Sequence, residues 1–277
     1  MGLENFVPEI WSAKLFVRLR KALVHASVVN RDYEGEIKEF GDTVRINEIG
    51  AVDVSDYTKY TDITWQEMDS AQKVLLIDQA DSFAVQLDDI DKAQTKPKLI
   101  DGIMSEASYS IVDEVDQYIA AKYTGAGNTV SALTVSVGAV IQNISNLQLK
   151  LNEANVPQQD RYLFVPPWYH QHIVNSVSQG INSTGVPKLM DNGVLVNGYV
   201  GELFGFNILM SNNVSNNGTI WQMMALHRSA ITFAGQIAKI EATRIQDRFG
   251  DGIKGLYLYG AKVVRPNAMV TCAATKG

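Results

Sequence analysis

Few side chains in this sequence could do chemistry. They are four histidines (His25, His170, His172 and His227) and a single cysteine, Cys272. The pair His170-x-His172 would share one face on a strand and could grip a metal there. Pro166-Pro167-Trp168 just before it favours a helix, on which side chains two apart diverge. Asp88-Asp89-x-Asp91 suggests a divalent cation. The glycine and glutamate that would complete a calcium loop are missing, so it reads as a solvated acidic strand end. Cys272 has no histidine near it in sequence, and a nucleophilic role has no support. No Walker loop, G-x-S-x-G or H-E-x-x-H occurs. Gly198, Gly201 and Gly205 miss the dinucleotide spacing, and Gly125-Ala126-Gly127 follows a helix rather than a strand. No catalytic residue, metal or cofactor is expected, and the chain is read as no enzyme.

Composition narrows the class further. The 277 residues carry a formal net charge of −6, which argues against a surface that coats nucleic acid by charge. Nucleic-acid modules are absent too: there is no zinc-finger spacing and no aromatic ribonucleoprotein motif. One cysteine excludes an internal disulfide framework. At 46% hydrophobic residues the chain can build a core, so wholesale disorder is excluded. The start, MGLENFVPEIWSAKLFVRLRKALVHA, does not read as a secretory signal, because Lys14, Arg18, Arg20 and Lys21 interrupt any apolar core. Phe6 rules out a myristoylation signal. No window is apolar enough to span a membrane.

The elements that must position these residues come next. Residues 9–26 read as a basic amphipathic helix: Trp11, Leu15, Leu19 and Leu23 recur every fourth residue, with Lys14, Arg18 and Lys21 elsewhere. It is either a packed surface helix or an arm that docks on a partner. Val44 and Ile46 alternate in GDTVRINEIG, and Phe83, Val85 and Leu87 alternate in SFAVQLDD. Between them lies a polar, Thr- and Tyr-rich stretch, SDYTKYTDITWQEM. A two-stranded ribbon alone in water is marginal, so this excursion is either covered from outside its own domain or a flexible hairpin. Residues 97–123 give the strongest helix, with Ile100, Ile103, Ala107, Ile111, Val115 and Ile119 as its stripe. Asp113, Glu114, Asp116 and Lys122 lie off that stripe, and Gly125 supplies the stop.

Residues 124–132 read as a loop. A helix with Val140, Ile144, Leu147 and Leu151 on one face follows, then a buried strand at 161–165 and a helix after Pro166-Pro167. Residues 180–198 are Gly- and Asn-rich loop. GELFGFNILMSNNV is a strand pair broken at Gly205, and IWQMMALH is a strand that Ala230–Ala234 either continues or follows with a second. The region 133–237 thus alternates helix and strand, as in an α/β subdomain. The closing stretch, KIEATRIQDRFGDGIKGLYLYGAKVVRP, is β, with a turn at 249–252 and a stop at Pro266.

The order of these segments resembles the major capsid (coat) proteins of tailed bacteriophages, whose fold is named after the Hong Kong 97 phage. The carrying stretches are FVPEIWSAKLFVRLRKALV, DQADSFAVQLDDIDKAQ, GELFGFNILMSNNV and AKIEATRIQDRFGDGIKGLYLYGAKVVRP. The resemblance implies an α+β chain with an N-terminal arm (1–32), and an extended loop with peripheral-domain strands (33–92, the loop itself at about 41–75). It further implies the spine helix of the peripheral domain (93–132), an axial domain (133–237) and peripheral return strands (238–277). It implies a shell protein that assembles with itself as hexamers and pentamers into an icosahedral head, on a scaffolding protein and around a portal. The shell would expand as double-stranded DNA enters, touching the DNA only weakly or locally, and a decoration protein could clamp it. No membrane is involved. The place of action is the virion, with assembly in the host cytoplasm. The founding phage's lysine–asparagine cross-link has no matching residue context here, and no fused scaffold is expected before Met1.

Under this reading the contacts fall on Trp11, Leu15, Arg18 and Leu19 of the arm and on Tyr57, Tyr60, Ile63 and Trp65 of the loop, since exposed aromatics anchor interfaces. Two alternatives stand beside it. One is an encapsulin-like cargo shell, which shares the fold. The other is an α/β enzyme centred on 133–237, which lacks a nucleophile–base pair.

Overall fold

Two short sequences, RYLFV and IWQMMALH, organise the fold. The structure of the protein, a computed structural model, describes residues 24–33, 43–49, 54, 56, 59, 60, 62, 65, 70–88, 98–136, 138–182, 199–245 and 250–276. Strands β5 (Arg161–Val165) and β8 (Ile220–His227) come from those two sequences. Leu163, Val165, Met223 and Ala225 join one core cluster, while Phe164, Met224 and Leu226 join another. Strands buried on both faces read as continuous apolar runs and need a layer on each side. The sheet around them also contains β4 (Asn128–Val135), β6 (Tyr199–Leu203), β7 (Phe206–Met210) and β11 (Met269–Lys276). Its order is β4-β11-β8-β5-β7-β6. The β4–β11 and β5–β7 pairs are parallel and the rest antiparallel.

On one side lie helices α3 (Val140–Glu153) and α4 (Pro167–Asn182). Val140, Ile144, Leu147 and Leu151 are fully buried there, so the stripe read from the sequence is the packed face. Arg161, 1% exposed, holds the loop after α3. Its guanidinium donates to the carbonyls of Val156 and Pro157 and to Asn152 Oδ1, at 2.5, 2.7 and 2.8 Å. A cation there gives hydrogen-bond partners to carbonyls of the loop that follows the helix.

On the other side lies α2 (Lys98–Ala120), 23 residues or about 35 Å long, continued by a 3-10 turn at Ala121–Gly125. Ile111, Val112, Val115 and Ile119 bury against the six-stranded sheet and against a second, antiparallel sheet. That sheet consists of β3 (Gln79–Asp88), β9 (Ile231–Arg244) and β10 (Gly250–Val263), with β10 in the centre. The segment 24–33 closes this core. It forms the short helix α1 (His25–Val28), and Asn30 then exchanges backbone hydrogen bonds with Ile231 and Phe233 of β9, at 3.0 and 2.9 Å.

The polar excursion is framed by a ribbon. Strands β1 (Thr43–Ile49) and β2 (Ser70–Leu76) pair antiparallel over seven positions, from Thr43 opposite Leu76 to Ile49 opposite Ser70. One face of its base is buried: Val44, Ile46 and Leu75 pack on Ala234, Leu258 and Val264. The Lys73 ammonium donates to the Val264 carbonyl. The backbones touch where β2 ends, since a Cβ on Gly260 would sit 2.2 Å from the Leu76 carbonyl oxygen.

Four expectations change. Residues 124–132 are not all loop, because β4 begins at Asn128. It is an edge strand paired to β11, and among its residues of described burial only Val135 is fully buried, so it carries little of the apolar alternation that marks a strand. The stretch 238–277 does not stay in one sheet: β10 completes the three-stranded sheet, while β11 inserts between β4 and β8. Gly250–Gly252 belong to β10 rather than to a turn. Gly125 does end the helix, but its backbone is not left-handed. Its lack of a side chain makes room for Val263, whose Cγ2 would lie 2.7 Å from a Cβ. Residues Ala230–Ala234 resolve into the end of a 3-10 turn and the start of β9. Most of the 9–26 helix and nearly all of the 180–198 loop lie outside the described residues.

Gly260→Ala is expected to lower stability by about 1–3 kcal/mol, because its new methyl meets backbone that cannot rotate away. Thermal unfolding of the purified subunit checks this. An unchanged melting temperature would mean that the ribbon base is not held where it crosses β10.

Candidate functional site

No concentrated set of reactive groups exists among the described residues. His170 and His172 lie on α4, as the prolines before them suggested, and their rings diverge. His172 packs instead edge-on against Trp168, with ring centroids 5.8 Å apart. His227 ends β8, where its Nδ1 accepts from the Ser229 N–H at 3.2 Å. Cys272 is buried in β11, 3.5 Å from Asn143 Oδ1, and burial raises its thiol pKa. Asn143 in turn donates to the Tyr169 hydroxyl at 3.1 Å. This is a satisfied core network, not an activated nucleophile. No three His, Cys, Asp or Glu side chains converge on a possible metal site among the described residues. Asp88 ends β3, while Asp89 and Asp91 fall outside the described residues.

The surfaces that stand out are extensions from the core. The first begins at residue 24. His25 donates its backbone N–H to Asp116 Oδ1 at 2.8 Å, and its Nδ1 lies 2.7 Å from Oδ2. Both residues are nearly inaccessible, at 1% and 3% exposure. The imidazole stacks on Phe164 of β5, with centroids 4.1 Å apart. Asn213, after β7, donates to Asp113 at 2.7 Å and reaches Asp116 at 3.4 Å. One side chain therefore ties the start of the described chain to α2 and to the six-stranded sheet. Burial alone would raise the Asp116 pKa. The hydrogen bonds and charge of His25, helped by Asn213, outweigh burial and hold it below its ordinary 3.8.

The sequence reading missed this pair because it placed Asp116 off the apolar stripe. Asp116 lies in the four-residue repeat of Val112, beside Val115 and Ile119, and a wider stripe would have included it. The arm residues named from the sequence, Trp11, Leu15, Arg18 and Leu19, fall outside the described residues.

The second extension is the ribbon and the loop it carries. Beyond the ribbon's buried base, every described residue of the loop (Val54, Asp56, Lys59, Tyr60, Asp62 and Trp65) is exposed. Tyr60 is 89% exposed and Trp65 91%. Tyr60 takes a left-handed backbone conformation, φ 73°, and the Lys59 ammonium lies 4.8 Å from the centre of its ring. Val74 and Leu76, on the ribbon's other face, are 42% and 47% exposed. Tyr57 and Ile63 fall outside the described residues. Large apolar groups left in water along an extended element mark a surface built to be covered.

Known proteins share this fold. A family model described as phage capsid protein matches residues 49–272. The structure from Mycobacterium phage Che8 is 29% identical, with 98% of this chain and 94% of that chain covered and a TM-score of 0.73. The capsid structure of Cyanophage P-SCSP1u is 16% identical over 92% and 89% of the two chains, with a TM-score of 0.70. A virus-like particle from Pyrococcus furiosus shares the fold at 11% identity and a TM-score of 0.59, over 96% and 99% of the chains. No curated protein matches the sequence.

The Asp116 carboxyl gives a signed prediction. Its folded pKa lies below the unfolded one, so its contribution is complete above about pH 5. That contribution is lost as the pH falls through 3.8 toward the folded value. Asp116→Ala is expected to cost about 3–5 kcal/mol at pH 7, because it leaves His25 buried without its partner. It should also flatten the dependence of stability on pH below 5. Urea unfolding at pH 7 and pH 3 checks both. Equal losses at the two pH values would show that the carboxylate is not what holds His25.

Proposed function

Because the chain belongs to the phage capsid protein family, and is a major capsid protein that forms an icosahedral head shell from many copies of itself, we propose that its extensions make that shell. Residues 1–32 serve as an arm that reaches a neighbouring subunit, with Trp11, Leu15, Arg18 and Leu19 as its docking side chains. The ribbon and its loop, about 41–75, lie over an adjacent subunit, with Tyr57, Tyr60, Ile63 and Trp65 as contacts. The three-stranded sheet with α2 forms the peripheral unit, and α2 is its spine. The six-stranded sheet with α3 and α4 forms the axial unit, clustered at the centres of hexamers and pentamers.

The observation that carries this reading is the exposure of Tyr60 and Trp65 at the end of a ribbon whose base is firmly buried. A two-stranded ribbon gains little by itself. It is worth projecting only if a second surface completes its burial. One such contact can be weak, yet repeated contacts around a closed shell stabilise it through multivalency.

Function then resides in interfaces, and the chain has no enzymatic role. An enzyme centred on 133–237 would need an activated nucleophile. The Cys272 thiol faces Asn143, and Ser229, whose hydroxyl lies 2.8 Å from His227 Nδ1, also donates its N–H to that nitrogen as part of a local turn. The cargo-shell alternative is supported by fold alone, through a likeness at 11% identity. The family model and the 29% identity to a phage structure both favour the head. Assembly takes place in the host cytoplasm, on a scaffolding protein and around a portal, and the shell expands as the genome enters. The acidic chain grips packaged DNA only weakly or locally, and the finished shell offers a surface for a decoration protein.

Removing residues 53–66 is expected to leave a folded subunit that no longer forms shells. Circular dichroism and electron microscopy of the purified variant check the two halves separately. Normal shells from it would refute the covering role of the loop.

A further inference from the structure

The middle of α2 does not close fully on the sheet beneath it. A groove of about 700 Å³ runs between α2 and β3. Its floor is apolar, made by Phe83, Val85, Ala107 and Ile111. The Phe83 ring lies over Gly255, where a Cβ would come within 2.2 Å of it, so the floor is held from below. Its rim is anionic. Asp81, Glu106 and Glu114 line it, and among the described residues no cation does. The Asp81 carboxylate accepts a hydrogen bond from Tyr259 at 2.7 Å, which fixes it at the groove's edge.

We infer that this groove receives the basic amphipathic segment 9–23 of a second copy of the chain. This rests on the proposal that residues 1–32 reach a neighbouring subunit, and names where they bind. Two extended segments are available, and their charges are opposite. The loop segment 50–69 carries Asp53, Asp56, Asp62, Glu67 and Asp69 against Lys59 alone. An anionic rim repels it. Segment 9–23 carries Lys14, Arg18, Arg20 and Lys21 against Glu9 alone. Its Trp11, Leu15, Leu19 and Leu23 present an apolar stripe for the floor, with cations beside it for the rim.

Geometry separates the two copies. The described chain starts beside Asp116, held by His25 and by the backbone bonds of Asn30. At about 100° per residue, Asp116 lies about 180° around α2 from Ala107 and about 140° from Ile111. The described chain therefore begins on the far side of α2 from Ala107 and Ile111 of the groove floor. A neighbour's arm meets no such obstacle.

A crosslink tests this in assembled shells. Leu15→Cys and Ser110→Cys, combined in one chain, place thiols in the arm and on the groove wall. The native Cys272 is buried and does not compete. A short bis-maleimide is expected to give a ladder of linked oligomers on a denaturing gel, absent from either single variant. A linked monomer would show that the arm folds back on its own subunit. Unlinked chains in intact shells would show that the groove is empty or holds another protein's helix. Either result overturns the inference while leaving assembly itself established.

A charge exchange covers the case in which the double variant does not assemble. Glu106→Lys with Glu114→Lys is expected to cut shell yield at least about tenfold, since like charges then face each other. Adding Lys14→Glu and Arg18→Glu is expected to restore it. Unaffected shells, or no restoration, would equally overturn the pairing.

Discussion

The buried stripe of α2 is the surface on which everything else closes. Ile111, Val112, Val115 and Ile119 contact strands from both sheets, so one helix fixes the relation between them. Burying each such side chain stabilises by about 1.5–3 kcal/mol. The stripe also contains a charge, Asp116, which is tolerable only because its oxygens are satisfied by His25 and Asn213. Those partners come from the segment at 24–33 and from the far end of the six-stranded sheet. A requirement for hydrogen bonds at one buried carboxylate thus fixes where the segment 24–33 joins the core. An apolar residue at 116 would pack as well but would not specify that junction.

A second constraint follows from strand pairing. Among the described residues β1 and β2 have no third strand, and β3 and β9 are the edges of a small sheet, β9 being covered at its start by Asn30. Unpaired edges and exposed aromatics are hazards in a protein meant to stay single. In a subunit whose purpose is to meet copies of itself they are the working surfaces. The same logic accounts for the groove beside β3. With the docking proposed above, the core is finished where the subunit must hold its shape and left open where a neighbour supplies the remaining atoms. The two long extensions carry opposite charge, which keeps each from occupying the other's site.

Legibility in the sequence followed burial and periodicity. The stripe of α3, the two-sided strand at 161–165 and the pair broken at Gly205 were all readable, because each needs a repeat of 3.6 or 2. β4 was not readable, since an edge strand with few buried side chains has no such repeat. The placement of β11 was hidden as well: alternation says that a strand exists, not which sheet it joins. The arm and loop contacts came from exposure argued against solubility. Of those, Tyr60 and Trp65 can be placed, and both are in water. His25, Asp116 and Arg161 were missed for a common reason. Polar residues are read as surface by default, and only the partners that satisfy them, distant in sequence, reveal them as core.

The scarcity of reactive groups also takes on a physical meaning. A shell subunit must present large surfaces that associate weakly and reversibly during assembly, then hold collectively. Exposed thiols would make wrong contacts permanent, and the one cysteine is sealed in β11 behind Asn143. A strongly basic body would bind nucleic acid indiscriminately. Here residues 1–31 carry a net charge of +3, next to a remainder of net charge −9. That separation lets like bodies repel at long range while arm and groove attract at short range. Salt shortens both effects within a Debye length of about 8 Å at physiological strength. With the docking proposed above, contact between copies is selected by how closely arm and groove fit, and net charge alone does not drive it.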